Sequence, residues 1–342
     1  MQYAMLGRSG LPVSRLSLGA MTFTGGNQSM PSINKVDLSL ADRLVGRAID
    51  GGINFFDTAD VYDRGQSEEV LGTVLKPRRQ DVVIATKCGI RSGAALTRSG
   101  LSARHIHASV DASLKRLGTD WIDVFICHRA DPLVPLEETL RALDEIVRAG
   151  KVRYLGYSNW PAWRAATAVE MQRANGWARF THGQMHYSAL IRDIERDTIP
   201  MMAHHGLGLT AWSPLAWGFL TGRITRENLA SGEHRFGGGD IFEFDRDKGF
   251  ALVDRLRGIA AAHGATPAQV AIAWLLAKPA LTSVLLGTTK IEQLEDNLAA
   301  ATLQLSGEDL AAIDEAMPPV PAYPDWFEAK FADAPLRKAL GG

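Results

Sequence analysis

The chain has 342 residues, 46% of them hydrophobic and 22% charged, an ordinary balance for a globular protein with a sizeable core. Its 37 Lys and Arg against 38 Asp and Glu give a formal net charge of −1, which argues against a nucleic-acid footprint or a membrane-surface patch. The longest apolar run, Val270 to Ala277, is far below the roughly 18 residues of a membrane span, Met1 to Ser9 has no apolar signal core, and Cys88 and Cys127 make neither a disulfide scaffold nor a metal pair, so a reduced, cytoplasmic protein is expected.

From the N-terminus, the segments before Leu11 and after Val13 read as a small hairpin with Ser9-Gly10 at the turn. Candidate strands follow at Leu16–Leu18, Ile53–Phe56, Val82–Ala85, Ile122–Ile126, Tyr154–Gly156, Arg179–His182, Gly208–Ala211 and Ser283–Leu286. Each is short and apolar rather than alternating, which suits parallel strands covered on both faces. Helical patterns lie between them. Ile106, Val110, Leu114 and Leu117 recur on one face, as do Leu136, Leu140, Leu143 and Val147, and then Ile291, Leu294 and Leu298. Ser306 followed by Asp309 resembles the capped start of a last helix carrying Leu310, Ile313 and Met317.

Roughly eight strand–helix units predict an α/β chain folded as a closed (β/α)8 TIM barrel over residues 1–317, with an N-terminal β-hairpin and long loops at the C-terminal face. The rival is an open doubly wound sheet, but its G-x-G-x-x-G fingerprint is absent. Gly19 is followed by Ala-Met-Thr-Phe, and Gly25-Gly26 has no strand immediately before it. Two stretches break the rhythm. Ser213 to Lys248 is rich in Gly, Arg and aromatic residues, and a connection this long is usually functional. Residues 318–342 form a proline-rich, aromatic tail that packs over the barrel surface or else covers the mouth or a partner.

In a barrel, the carboxyl ends of the strands converge on one mouth. Read in turn, they offer Asp57 with Tyr62 in the loop beyond, then Lys87, His128, Ser158 with Asn159, Gln184 and Trp212. Asp57, Tyr62, Lys87 and His128 are the candidate catalytic group. A phenol is a poor proton donor at neutral pH, and a neighbouring ammonium favours its ionised form. A carboxylate keeps that ammonium charged, and an imidazole can orient a carbonyl oxygen. Together they make a general acid aimed at one oxygen. The matching reaction is carbonyl reduction, with hydride from a cofactor, because no side chain can donate one.

Several segments carry a resemblance to the aldo-keto reductases, over roughly residues 3 to 317. They are Gly52-Ile-Asn-Phe-Phe-Asp-Thr-Ala-Asp-Val-Tyr62 with Gly65-Gln-Ser-Glu68, Ala85-Thr-Lys87, His128-Arg-Ala-Asp131, Gly156-Tyr-Ser-Asn159 and Trp212-Ser-Pro-Leu215. Gly100-Leu-Ser-Ala-Arg-His105, Glu137-Glu-Thr139 and Leu285-Leu-Gly-Thr288 resemble the branch that contains the β subunits of voltage-gated potassium channels and many bacterial reductases. The resemblance implies Tyr62 as proton donor, Lys87 and Asp57 as its tuning partners and His128 as the group that orients the carbonyl. It implies that Gly19, Met21 and Asp57 border the cofactor, that Ser158, Asn159 and Gln184 hold the nicotinamide carboxamide, and that Trp212 stacks on its face beside Ser213, Pro214 and Leu215. Gly287, Thr289 and Gln293 would lie near the adenosine ribose phosphate, with Asp296 and Asn297 near adenine.

Many relatives selective for NADPH have a basic residue where Gly287 and Gln293 stand here. Arg223 and Arg235 could supply that charge, since a phosphate favours forked guanidinium donors, and amides at Thr289–Lys290 add anion-binding capacity. NADPH is therefore expected, with NADH open. Ser213 to Lys248 then reads as a clamp over the cofactor, hinged at Gly218, Gly222, Gly232 and Gly237–Gly239. Phe23, Tyr62, Trp160 and Trp326 are the expected pocket wall for a small-molecule carbonyl substrate. No metal, nucleic acid or membrane partner is expected, and a homo-oligomer is allowed. The competing functions are a cofactor-sensing, channel-associated subunit and another barrel enzyme such as a phosphosugar isomerase. His128, which the resembling channel subunits tend to lose, favours catalysis. The absence of a phosphate loop at Trp212-Ser-Pro-Leu215 disfavours the isomerase.

Overall fold

The computed structural model describes residues 1–27, 29–229 and 243–340. Strands β3 (Leu16–Gly19), β4 (Phe55–Asp57), β5 (Val83–Cys88), β6 (Ile122–Cys127), β7 (Val152–Ser158), β8 (Phe180–His186), β9 (Gly208–Trp212) and β10 (Leu281–Gly287) close into one parallel barrel. The ring runs β3 to β9 in chain order and is shut by β10 between β9 and β3. Ahead of it, β1 (Tyr3–Met5) and β2 (Pro12–Ser14) pair antiparallel. The hairpin therefore forms, but its second strand begins at Pro12 rather than beyond Val13, and Leu6 N–H donates to the Leu11 carbonyl across the turn.

Two cores result. The larger lies between the strands and the outer helices, where Ile106, Val110, Leu140, Leu143 and Leu294 bury the predicted stripes. A smaller one fills the barrel's interior with Phe55, Val83, Ala85, Val124 and Ile126, and the hairpin residues Leu6 and Val13 plug it. Filling the interior with side chains makes such a barrel a packed core rather than a pore. Gly7 allows this plug. Its φ is +60°, and a Cβ there would lie 2.1 Å from the Thr181 carbonyl oxygen and 2.7 Å from the Gly208 nitrogen, so only glycine fits.

The predicted last helix is Gly307–Ala316, started by a reciprocal capping box between Ser306 and Asp309. Cys88 and Cys127 are fully buried and form no disulfide. Beyond the barrel, residues 318–340 carry two short, exposed helices and are tied to the loop after β8 by Arg196, which donates to Asp325 and to the Tyr323 carbonyl. Among the described residues, no single helix is long and apolar enough to cross a membrane.

The strand ends differ from the reading of apolar runs. Asp57 is the last residue of β4, Lys87 lies inside β5, and β8 continues to His186 through Gln184. Polar residues ended each predicted strand early, yet at the mouth of a barrel they continue the strand inward. The register then gathers them, with Gly19 opposite Asp57, Ser158 opposite Gln184, His186 opposite Trp212, and Gly287 opposite Gly19.

Candidate active site

Lys87 is wholly buried and its ammonium is fully engaged. Its Nζ donates to Asp57 Oδ1, to the Thr58 carbonyl at 2.7 Å and to the Tyr62 hydroxyl oxygen at 3.3 Å. Burial alone would lower its pKa, but Asp57 and Tyr62 outweigh burial and raise it. The other Asp57 oxygen accepts from Gln184 Nε2 at 2.8 Å. Since β4 and β8 stand opposite one another in the ring, that bond spans the barrel and fixes the carboxylate from both sides.

Tyr62 reaches this ammonium because of the turn behind it. Asp63, Arg64 and Gly65 take φ values of +45°, +58° and +93°. Left-handed non-glycine residues carry roughly 1 kcal/mol or more of strain each. The buried Asp63 carboxylate holds the turn by accepting from Thr24 Oγ1 at 2.5 Å and from the Ser29 amide at 2.7 Å. His128 meets Tyr62 edge to face, with ring centroids 5.7 Å apart. Burial, helped by the Lys87 charge, lowers its pKa well below the usual histidine range, so the ring is neutral at pH 7. Its Nδ1 is buried without a partner, which leaves Nε2 to serve the open side.

These groups floor a cavity of about 1130 Å³. That exceeds the roughly 300–1,000 Å³ of ordinary small-molecule sites and suits a dinucleotide together with a second ligand. Asp57, Tyr62 and His128 line it, as do Gly19, Met21, Ser158, Asn159, Gln184, Trp212, Ser213, Pro214, Leu215, Arg223, Gly287, Thr289, Gln293, Asp296 and Asn297. Arg235, with Gly232 and Gly237–Gly239, falls outside the described residues.

The inner wall has the polarity of a primary-amide site. Gln184 has its Nε2 on Asp57, which leaves Oε1 to accept. Ser158 Oγ accepts from Asn159 Nδ2 and keeps its hydrogen to donate. The Asn159 amide nitrogen is committed, since it donates to the His128 carbonyl and to Ser158. Its oxygen accepts from Trp212 Nε1 at 3.1 Å and keeps a second lone pair. Trp212 stacks on His186 at 4.6 Å and 27° and lines the cavity.

The outer wall suits an anion. The helix Ile291–Ala299 starts without a side-chain cap, so its first amides are open to phosphate. Arg223 borders the same cavity. Asp296 lines it too, but its carboxylate is held by Thr266 Oγ1 and Gln269 Nε2.

Three predicted wall residues stand elsewhere. Phe23 is fully buried in the outer core, and its neighbour Thr22 faces the cavity instead. Trp160 follows Asn159, whose φ of +58° turns the ring back onto Tyr157 and Phe180. Trp326 sits half-exposed on the tail among Tyr323 and Phe327. The apolar residues that do line the cavity include Val61, Ile90, Met30 and Ile33, and Arg129 lines it as well. Arg129 was legible as the neighbour of His128. Lys35 and Thr266–Ala268, which also line the cavity, come from distant loops with no local signal.

The family model described as "Aldo/keto reductase family" matches residues 15–318. A rice protein (Oryza sativa subsp. japonica) named "Probable voltage-gated potassium channel subunit beta" is 37% identical over 88% of this chain and 91% of its own. The "Versiconal hemiacetal acetate reductase" of Aspergillus parasiticus is 36% identical over 95% and 99%. The "Uncharacterized oxidoreductase YrpG" of Bacillus subtilis is 34% identical over 93% and 96%.

Proposed function

The chain belongs to the aldo/keto reductase family, and on that premise we propose that it reduces aldehydes or ketones to alcohols with a reduced nicotinamide cofactor, NADPH before NADH. The observation that carries this reading is the Asp57–Lys87–Tyr62 chain beside a neutral His128 on the floor of one cavity.

When bound, the cofactor supplies hydride to the carbonyl carbon. Ser158 and Gln184 complement its carboxamide, Trp212 supports the ring, and the open helix start with Arg223 takes the phosphates. Tyr62 gives its proton to the carbonyl oxygen. Lys87 stabilises the phenolate left behind, and Asp57 keeps Lys87 charged and aimed. Because His128 is neutral, it orients the carbonyl by a hydrogen bond from Nε2 without competing as a proton source. Hydride and proton together turn the carbonyl into an alcohol and leave the nicotinamide oxidised.

The test is loss of absorbance at the reduced-nicotinamide band. The chain is mixed with NADPH or NADH and a panel of aldehydes, ketones and α-dicarbonyls, with Tyr62→Phe as control. Decay with NADPH that falls about 10²–10⁴-fold in the variant supports the reading. Tight NADPH binding without decay on any carbonyl would favour the cofactor-sensing role that the likeness to channel subunits suggests.

A further inference from the structure

Among the described residues, half of the exposed large apolar side chains fall within residues 318–340. Tyr323, Trp326, Phe327 and Phe331 are 44–67% exposed and touch one another, with ring centroids 4.6–6.3 Å apart. They make one continuous apolar surface, whereas single scattered groups are the ordinary case. Leu336 and Leu340, four residues apart on the second tail helix and its end, are 55% and 79% exposed. The helices Asp325–Lys330 and Ala334–Ala339 bury no residue. Helices of this length are marginal in water by themselves and depend on packing of an apolar face. The ties that Arg196 makes to Asp325 and to the Tyr323 carbonyl are polar and reach only the start of the first helix.

Area and charge select what covers this surface. With about 150–250 Å² for a whole aromatic side chain, the exposed apolar groups of the tail present roughly 800 Å². That exceeds the roughly 300–600 Å² of the largest patch on a typical monomer and equals about one partner's share of a standard interface. The charges are divided by helix. The first carries Asp325 and Glu328 in its first turn, and the second carries Arg337 and Lys338 in its last. Glu328, Arg337 and Lys338 are exposed and, among the described residues, make no ion pair. A two-fold contact that lays the acidic helix of one copy on the basic helix of the other satisfies both ends twice, which is the self-complementarity an isologous interface requires. Three acids against three bases after residue 317 lack the Lys and Arg excess of a helix that lies on a membrane. None of the described tail residues lines the main cavity.

We propose that the tail is a homodimer interface, in which the Tyr323–Phe331 aromatic surface packs against its counterpart on a second copy of this chain. Phe327 and Phe331 are the central anchors, and Leu336 and Leu340 extend the apolar contact. Glu328 of one copy faces Arg337 and Lys338 of the other and fixes the antiparallel register.

The test is sedimentation of the full chain over a dilution series, with light scattering for the mass. The parent should sediment at twice the chain mass and dissociate on dilution. Phe327→Ser with Phe331→Ser should raise the dissociation constant about a hundred-fold. Both rings are exposed, so the variant should keep the parent's circular dichroism, and at dilutions where the copies are apart it should keep the parent's unfolding midpoint. Glu328→Lys should weaken the dimer by about ten-fold, and adding Arg337→Glu should restore most of that loss. A parent that stays monomeric at every concentration overturns the interface. So does a dimer that survives the double phenylalanine variant, because its contact then lies elsewhere. A charge reversal that the second reversal fails to restore overturns the two-fold pairing. A monomer whose KM for cofactor or carbonyl rises in the phenylalanine variant assigns the tail to the chain's own mouth, and sedimentation with phosphatidylserine vesicles in place of self-association assigns it to a lipid surface. Either result overturns the dimer.

Discussion

The two ends of the cavity are built differently. At the inner end, Asp57, Lys87 and Gln184 are buried, and their bonds bridge strands on opposite sides of the barrel. At the outer end, Arg223 and the uncapped start of Ile291–Ala299 point polar groups outward. The inner end is tied together by the chain's own bonds, and on the proposed function the outer end is where the cofactor's phosphates would be held. Substitutions inside should therefore damage chemistry and stability together, whereas substitutions outside should damage affinity alone.

Lys87→Met is the strongest way to break that contrast. It strips the ammonium from Tyr62 and leaves Asp57 buried beside an apolar chain. Turnover should fall by roughly 10³-fold or more. Unfolding free energy should drop by about 3–5 kcal/mol, as for a broken buried ion pair. Both are read on one preparation by cofactor decay and denaturant titration, and full stability with lost activity would separate what the structure joins.

The aromatic residues sharpen the same contrast. Trp160 is 2% exposed and Trp326 is 50% exposed. Trp160→Ala should cost about 3–5 kcal/mol. Trp326→Ala should stay within roughly 0.5 kcal/mol. Similar midpoint shifts in the two variants would contradict their places in the fold.

Acid should weaken the buried interior first. An unfolded histidine takes its proton near pH 6.5, but burial lowers the folded pKa of His182 to about 3 and of His186 to about 4. Below pH 6.5 the unfolded chain then binds more protons, so each removes up to about 1.4 kcal/mol of stability per pH unit as pH falls. Asp60 opposes them. Its folded pKa of about 7 lies above the unfolded value near 3.9, so acidification between those values stabilises. Two histidines outweigh one carboxyl, and Tm should fall from pH 6.5 to 4.5. Asp60→Asn should steepen that fall, and a profile as shallow as the parent's would show that Asp60 does not oppose it.

The smallest effect belongs to the outer end. Arg223→Ala should weaken NADPH binding by about ten-fold, NADH binding by much less, and leave Tm unchanged. Equal losses for both cofactors in a fluorescence titration would remove Arg223 from phosphate recognition.

Much of the site was legible because it lies at strand ends. Asp57, Lys87, His128, Ser158, Gln184 and Trp212 could be read in order, since a parallel barrel brings every carboxyl end to one mouth. The division of labour among them was not legible. The sequence offers Asn159 and Gln184 as equal amides. Only the folded chain aims the Asn159 amide at the His128 carbonyl and Trp212, and the Gln184 amide across the barrel at Asp57. The aromatic wall was misread for a related reason. Phe23 and Trp160 sit beside cavity residues in sequence, but a one-residue step in an extended chain, or one left-handed residue, sends the side chain into the core.

By itself, then, the sequence determined what is local or periodic. Apolar runs made the strands, stripes every three or four residues made the helices, Ser306 and Asp309 made a cap, and the order of strand ends made a list of reactive groups. Tertiary structure decided what depends on distances between remote residues. It placed Gln184 across the barrel on Asp57 and brought Lys35 and Thr266 into one cavity wall. Direction and partnership are set by closing the barrel, and no short window of sequence contains that closure.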